Sequence, residues 1–310
     1  MKNFVLIDGF AMMFRSYYAV RFAPQHEGQN VNAVYGCATT IMQALEQFGP
    51  HKVIVAFDAP EKTFRHELDP DYKAQRSPAP DDFVPQIQLV KDLIEAFNIP
   101  MFIKPGFEAD DIIGTLACQA KDYQTYILSG DLDFLQLIED RITLARFNGK
   151  GPELFDEAAT IQKLGLPPSQ VIDYKALCGD SSDNYKGLPG MGPKGALKLL
   201  EEYGNLESIY ENLSDLSPAL KAKFEEHKDY VLHCQHLAKI ELNVPLDFTP
   251  ESIPEYDFDL QKAEDFLSGI NFHRLLQRVR NLNLNGEQQN IKEQNSSSIE
   301  SGDTGQMNLF

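Results

Sequence analysis

Gly106-Phe107-Glu108-Ala109-Asp110-Asp111-Ile112-Ile113 follows an apolar run, Ile99-Pro100-Met101-Phe102-Ile103, and a break at Lys104-Pro105-Gly106. After it, Ile112, Ile113, Leu116 and Ala117 recur at helical spacing. The pattern predicts a strand, a turn and a helix whose first turn carries three acids. Free N–H groups and the helix dipole favour negative charge at that position. Glu108 and Asp111, three apart, share a face. Taken alone, this is an ordinary charged helix start.

Outward from it, three other apolar runs each end in an aspartate. Phe4-Val5-Leu6-Ile7 ends in Asp8, Lys52 to Phe57 ends in Asp58, and Tyr126-Ile127-Leu128 leads through Ser129-Gly130 to Asp131. A helical segment from about Ala33 to Phe48 separates the first two. Strands alternating with helices predict an α/β fold with a mainly parallel sheet and helices on both faces. Ligands of such sheets bind beyond the carboxyl ends of the strands. One aspartate after a strand is turn chemistry. Three of them, with an acidic helix start at the same edge, repel one another unless a cation lies between. A divalent-metal site is the expectation.

The 310 residues suffice for one large domain or two ordinary ones, and 43% hydrophobic with 24% charged residues is globular composition. A net charge of -18 argues against a generic basic nucleic-acid binder, but acids gathered for metal give the same sum. Cys37, Cys118, Cys178 and Cys234 are scattered, without a zinc or disulfide pattern. No apolar run reaches signal-peptide or membrane-span length. A cytoplasmic protein is expected.

Between Asp58 and Glu108, the stretch from Glu61 to Arg76 mixes Lys62, Arg65, His66, Lys73 and Arg76 with Phe64 and Tyr72. That mixture suits a nucleic-acid strand through phosphate contacts and stacking; a solvated loop is the alternative, since four acids lie among them. A helical run through Val171 to Leu177 leads into Gly179-Asp180-Ser181-Ser182-Asp183-Asn184, where Asp180 and Asp183 could add metal oxygens or simply cap and turn the chain. Gly187 to Ala196, with Gly190-Met191-Gly192 and Lys194, forms a glycine-rich turn before a helix, suited to phosphate backbone. Arg274, Arg278 and Arg280 read as a solvated helix face. From Asn285 the chain is polar and reads as disordered, yet it ends Gln306-Met307-Asn308-Leu309-Phe310. A docking peptide and a chance apolar pair are both compatible with that ending.

These residues resemble the bacterial and phage 5′ nucleases, the flap endonuclease group that includes the N-terminal domain of DNA polymerase I. The likeness runs from about Phe4 to Arg280 through Asp8-Gly9, Asn32 to Gly36, Phe57-Asp58, Phe64-Arg65, Tyr72-Lys73 with Arg76, Glu108 to Asp111, Asp131 to Asp133, Gly179 to Asn184 and Gly190-Met191-Gly192. The resemblance implies a PIN-like core over 1–166 with a helical arch at about 62–98. It further implies a helical DNA-binding region over 167–284 with a helix–hairpin element, and a tail over 285–310. It assigns Asp8, Asp58, Glu108, Asp110, Asp111, Asp131, Asp133, Asp180 and Asp183 to two Mg²⁺ or Mn²⁺ ions, and Lys73 and Arg76 to the transition state. Arg15, Arg65, Tyr72, Gly190, Met191, Gly192 and Lys194 are implied to contact DNA, with K⁺ at the helix–hairpin carbonyls. Gln306, Leu309 and Phe310 are similar to the bacterial sliding-clamp binding peptide, and that tail favours a free-standing nuclease over a fragment. Phe10 to Phe14 and Phe134 depart from the usual filling.

The implied activity is two-metal hydrolysis of phosphodiesters at 5′ flaps, nicks and RNA primers by a monomer, serving replication and repair. Oxygen ligands without His or Cys suit hard cations. Two competing readings remain at this point. A non-catalytic junction binder sits badly with a complete acid set. A small-molecule phosphatase leaves the Gly-Met-Gly turn without a task.

Overall fold

In a computed structural model, residues 1–21, 24–147 and 151–282 are described. The chain opens with β1 (Lys2–Asp8), α1 (Gly9–Ala19), a small hairpin of β2 (Gln25–His26) and β3 (Gln29–Asn30), α2 (Asn32–Phe48) and β4 (Lys52–Ala56). It continues through α3 (Phe64–Leu68), α4 (Val84–Ala96), β5 (Met101–Phe102), α5 (Ala109–Gln119), β6 (Tyr123–Leu128), β7 (Ile142–Phe147) and β8 (Pro152–Phe155). Apart from the β2–β3 hairpin, the strands form one sheet in the order β5-β4-β1-β6-β7-β8, parallel except for the β7–β8 pair. The expected mainly parallel α/β sheet is what the chain forms.

Register sets the chemistry. Leu6 lies between Ile54 and Ile127, and Ile7 lies beside Leu128. Asp8, Asp58 and Asp131 therefore leave the sheet at one edge. Successive residues of a strand point to opposite faces, and both faces here are covered. Phe4, Leu6, Ile54 and Ile127 join one apolar cluster, while Val5, Ile7, Val53 and Leu128 join the other. Burial on both sides is why these strands read as unbroken apolar runs.

The remaining helices are α6 (Glu157–Leu164), α7 (Val171–Cys178), α8 (Pro193–Tyr203), α9 (Leu206–Glu211), α10 (Pro218–Glu226), α11 (Lys228–Ala238) and α12 (Leu260–Gly269). Leu177, Leu200, Phe224 and Leu237 extend the cluster beneath α5, so one core runs across residue 166. The chain then crosses to the other face, where Ala263, Leu267, Leu275 and Val279 pack with Val90 and Ile41. Arg278 and Arg280, in a helical segment at 273–282, pair with Glu46 and Glu264.

One local finding fills in an unassigned stretch and one differs from expectation. Phe10 to Phe14 are part of α1: Phe14 stacks on Phe83 at 4.4 Å and Phe10 meets Phe57 edge-on at 5.3 Å. The span expected as a helical arch holds α3 and α4 at its ends, with only turns between 69 and 83. That span is tied down. Lys73 N–H donates to Asp183 O at 3.1 Å and the Asn184 amide to Asp71 O at 2.7 Å.

Candidate metal centre

At the strand ends each aspartate is fixed by the backbone that follows it. Asp8 caps α1, accepting from Ala11 N at 3.0 Å, and Ser129 Oγ donates to its other oxygen at 2.9 Å. Ser129 also accepts the Asp131 N–H at 3.1 Å, so one hydroxyl ties β1 to β6 at the acidic edge. Asp131 accepts from Asp133 N, and Asp58 from Ala109 N at the start of α5. Asp110, on the first turn of α5, has no hydrogen-bond partner among the described residues and feels the charges of Asp8 and Asp131.

The second group is tighter. Asp133, Asp180 and Asp183 each offer an oxygen within 4.8 Å of the others. Their loop is closed by backbone contact. Gly179 and Gly187, at φ +76° and +65°, approach so closely that a Cβ on Gly187 would lie 2.4 Å from Gly179 N. Leu188 N–H donates to Leu177 O at 2.9 Å across the same neck. Only glycine fits both the left-handed backbone and that approach.

Burial, aided by neighbouring carboxylates, pushes Asp8 and Asp133 up to about 7, and raises Asp58 and Asp110 as well. Glu108 lies low despite its burial, because Lys73 and Arg65 face it. Asp180 is likewise held at about 2 against burial by Lys175. Between about pH 4 and 7 the folded chain keeps protons on Asp8 and Asp133 that the unfolded chain has released. Folding is therefore favoured as pH falls through that window. In EDTA we expect Asp8 and Asp133 each to contribute about 2 kcal/mol more stability near pH 5.5 than near pH 8, with added Mg²⁺ removing most of the difference. Thermal melts at the two pH values check this, and a flat profile would refute it.

Three sequence expectations need correction. Arg65 does not face DNA: it is 2% exposed. Its guanidinium binds both Asp111 oxygens at 2.8 Å, Glu108 at 3.2 Å, and the carbonyls of Leu237 and Lys239. Tyr72, 3% exposed, points inward and donates its hydroxyl between Glu108 and Asp183, both at 3.1 Å. Asp111 cannot serve as a metal ligand in this arrangement. Beyond Arg65, its oxygens accept the N–H groups of Glu108 and Glu241, which fills its acceptor capacity.

Lys73 and Arg76 do reach the acids, at 2.8 Å from Glu108 and 3.1 Å from Asp183. Lys73 holds a left-handed φ of +55° and lies over the Tyr72 ring. Such strain in a non-glycine residue clusters at functional sites. Arg15 is half-buried beside Ser129 and Gly130, with no acid paired to it among the described residues. Gly190, Gly192 and Lys194 are exposed at the uncapped start of α8, and Met191 is half-buried. Sequence reasoning missed Ser129 and Lys175. The Lys175 ammonium lies between Asp133 and Asp180, 2.6 Å from the latter and in close contact with the former. Its position four residues before Gly179, on the helix leading to the Asp180 loop, was the available signal. Gln306, Leu309 and Phe310 lie outside the described residues.

The donor set fits a hard divalent cation. It is all carboxylate, it is repulsive without positive charge, and in the fold a lysine ammonium already bridges two of the three acids.

Residues 3–165 match the family model described as 5'-3' exonuclease, N-terminal resolvase-like domain, and 166–261 match 5'-3' exonuclease, C-terminal SAM fold. DNA polymerase I of Synechocystis sp. is 37% identical over 290 residues, 89% of this chain and 29% of that protein. The thermostable DNA polymerase I of Thermus aquaticus is 39% identical over 276 residues, 88% of this chain and 32% of that one. The chain thus spans about a third of these polymerases' length. Among solved structures, T5 D15 protein co-crystallised with metal ions superposes with a TM-score of 0.66 at 18% identity, over 91% of this chain and 99% of that one. The catalytic core of Rad2 in complex with DNA substrate gives 0.57 at 19%, over 90% and 92%. Matched by both family models and more than 30% identical to these polymerases over most of its length, the chain belongs to the 5′-3′ exonuclease family.

Proposed function

We propose that the chain hydrolyses phosphodiester bonds at 5′ ends and junctions of DNA, as a divalent-metal-dependent 5′-3′ exonuclease and flap endonuclease. One observation carries the reading: folding gathers Asp133, Asp180 and Asp183 onto one point beside strand ends that already present Asp8, Asp58 and Asp131. Asp8, Asp58, Glu108, Asp110 and Asp131 would hold one of two Mg²⁺ or Mn²⁺ ions, and Asp133, Asp180 and Asp183 the other. Bound there, such ions supply Lewis acidity and lower the pKa of water for in-line displacement.

The chain's own residues do the rest. Carboxylates fixed by backbone N–H groups need no reorganisation as charge develops. Lys73 and Arg76 place positive charge at the same edge, where it can balance the transition state. Gly190, Gly192 and Lys194 at the start of α8 suit duplex phosphates, and Met191 braces that turn. Arg15 is free to meet a phosphate near Gly130. The Rad2 and T5 D15 structures that hold DNA support DNA as the substrate. Nicks and RNA primers as substrates, K⁺ at residues 190–192, a sliding-clamp contact through Gln306, Leu309 and Phe310, and a cytoplasmic monomer complete the proposal. Among the described residues, no helix is long and apolar enough to cross a membrane.

A labelled 5′ flap beside a nicked RNA-primed duplex, each with Mg²⁺ or EDTA, tests the reading. Cleavage of neither substrate in Mg²⁺ or Mn²⁺ would overturn it. In the same assay Lys73→Ala is expected to lose roughly 10²-fold in single-turnover rate while junction binding stays within about threefold. Matching losses in rate and binding would mean that Lys73 only anchors DNA.

A further inference from the structure

We propose that the Tyr185 hydroxyl belongs to the Asp133–Asp180–Asp183 group, where it holds a water in the hydration shell of a divalent cation. The proposal rests on the metal reading above and adds a residue to it. Tyr185 is 3% exposed, and its hydroxyl has no hydrogen-bond partner. Among the described residues only Thr125 Oγ1 and Tyr210 Oη share that condition. Buried hydroxyls are nearly always paired, because an unpaired one forfeits its bonds to water. An exception invites a partner that arrives later.

The backbone shows where the side chain points. Asp180 N–H donates to Tyr185 O at 2.9 Å, and Tyr185 N–H donates back to Asp180 O at 3.1 Å. Two residues exchanging both bonds in an antiparallel bridge project their side chains to the same side. The phenol therefore runs alongside Asp180, with buried Asp183 in the loop between them. A phenol is neutral near pH 7 and keeps its O–H as a donor. Cys234 is the other polar neighbour, but its thiol is already engaged by Gly187 and by Tyr230. A neutral phenol is a poor direct ligand for a hard cation beside three carboxylates. It is well suited to a water on that cation, since three carboxylates leave further coordination positions to water.

The test compares the full-length wild type with Tyr185→Phe and Tyr210→Phe, all stripped with chelator. Binding of MgCl₂ and MnCl₂ is measured by calorimetry, and melting temperature with and without each metal. Tyr210 serves as the matched control, because its hydroxyl is also unpaired but lies near Asp229. Tyr185→Phe is expected to melt at or above the wild-type temperature without metal and to bind metal about tenfold more weakly. Tyr210→Phe should keep wild-type affinity. Unchanged affinity in Tyr185→Phe, or an equal loss in both variants, would overturn the proposal. A wild type that binds neither metal would remove the metal reading itself, and this assignment with it.

Discussion

Asp131→Asn is expected to lose roughly 10³-fold or more in cleavage of a 5′ flap, about 4 kcal/mol of transition-state stabilisation. The fold should survive. Asp131 uses one oxygen to accept the Asp133 N–H at 2.9 Å, and an asparagine carbonyl does the same. What disappears is one negative charge at an edge shared with Asp8, Asp110 and Asp133, whose own protonation is raised partly by Asp131. In chelator the variant should therefore melt at or above the wild-type temperature. Asp58→Asn should behave alike, because its carbonyl can keep the bond from Ala109 N. Single-turnover cleavage and melting curves on the same preparations decide the matter. Turnover near wild type in either variant would show that these strand-end acids are not the metal centre.

Arg65→Met tests the correction made to the sequence reading. The substitution leaves Asp111, fully buried, with a charge and no cation facing it. Removing one partner of a buried ion pair typically costs about 3–5 kcal/mol, a fall of roughly 10 °C in melting temperature for a chain of this size. Cleavage should fall too, since the same guanidinium braces Glu108 and ties α5 to the carbonyls of Leu237 and Lys239. Pairing the change with Asp111→Leu should recover much of the stability, because an apolar pair replaces the ionic one. A surface residue gripping DNA would give the opposite pattern, with near-native melting and weakened binding alone.

The sheet was legible because its central strands are buried on both faces and read as apolar runs, each closed by an aspartate. β7 was harder to see, since Thr143 and Arg146 interrupt its apolar run and are only partly buried. The acidic edge was legible for a chemical reason: like charges in that number need a counter-charge. The inward course of Arg65 and Tyr72 was not, because a basic residue on a five-residue helix is a surface residue by default. Only the packing of α11 and its following carbonyls against α3 turns Arg65 around. Ser129 was hidden similarly, and Lys175 in part. Ser129 matters through Asp8, far away in sequence, whereas Lys175 had a local signal in its spacing to Asp180 but none for its contact with Asp133.

The neck between Gly179 and Gly187 has a thermodynamic consequence. Closing a loop costs chain entropy, and here the fold itself meets that cost, because the loop ends touch and hold Asp180 and Asp183 between them. On the metal reading proposed above, occupancy would respond to charge and protonation more than to loop ordering, and cations would come and go without melting the loop. A side chain at either glycine would reverse this, leaving each ion to assemble its own ligands anew.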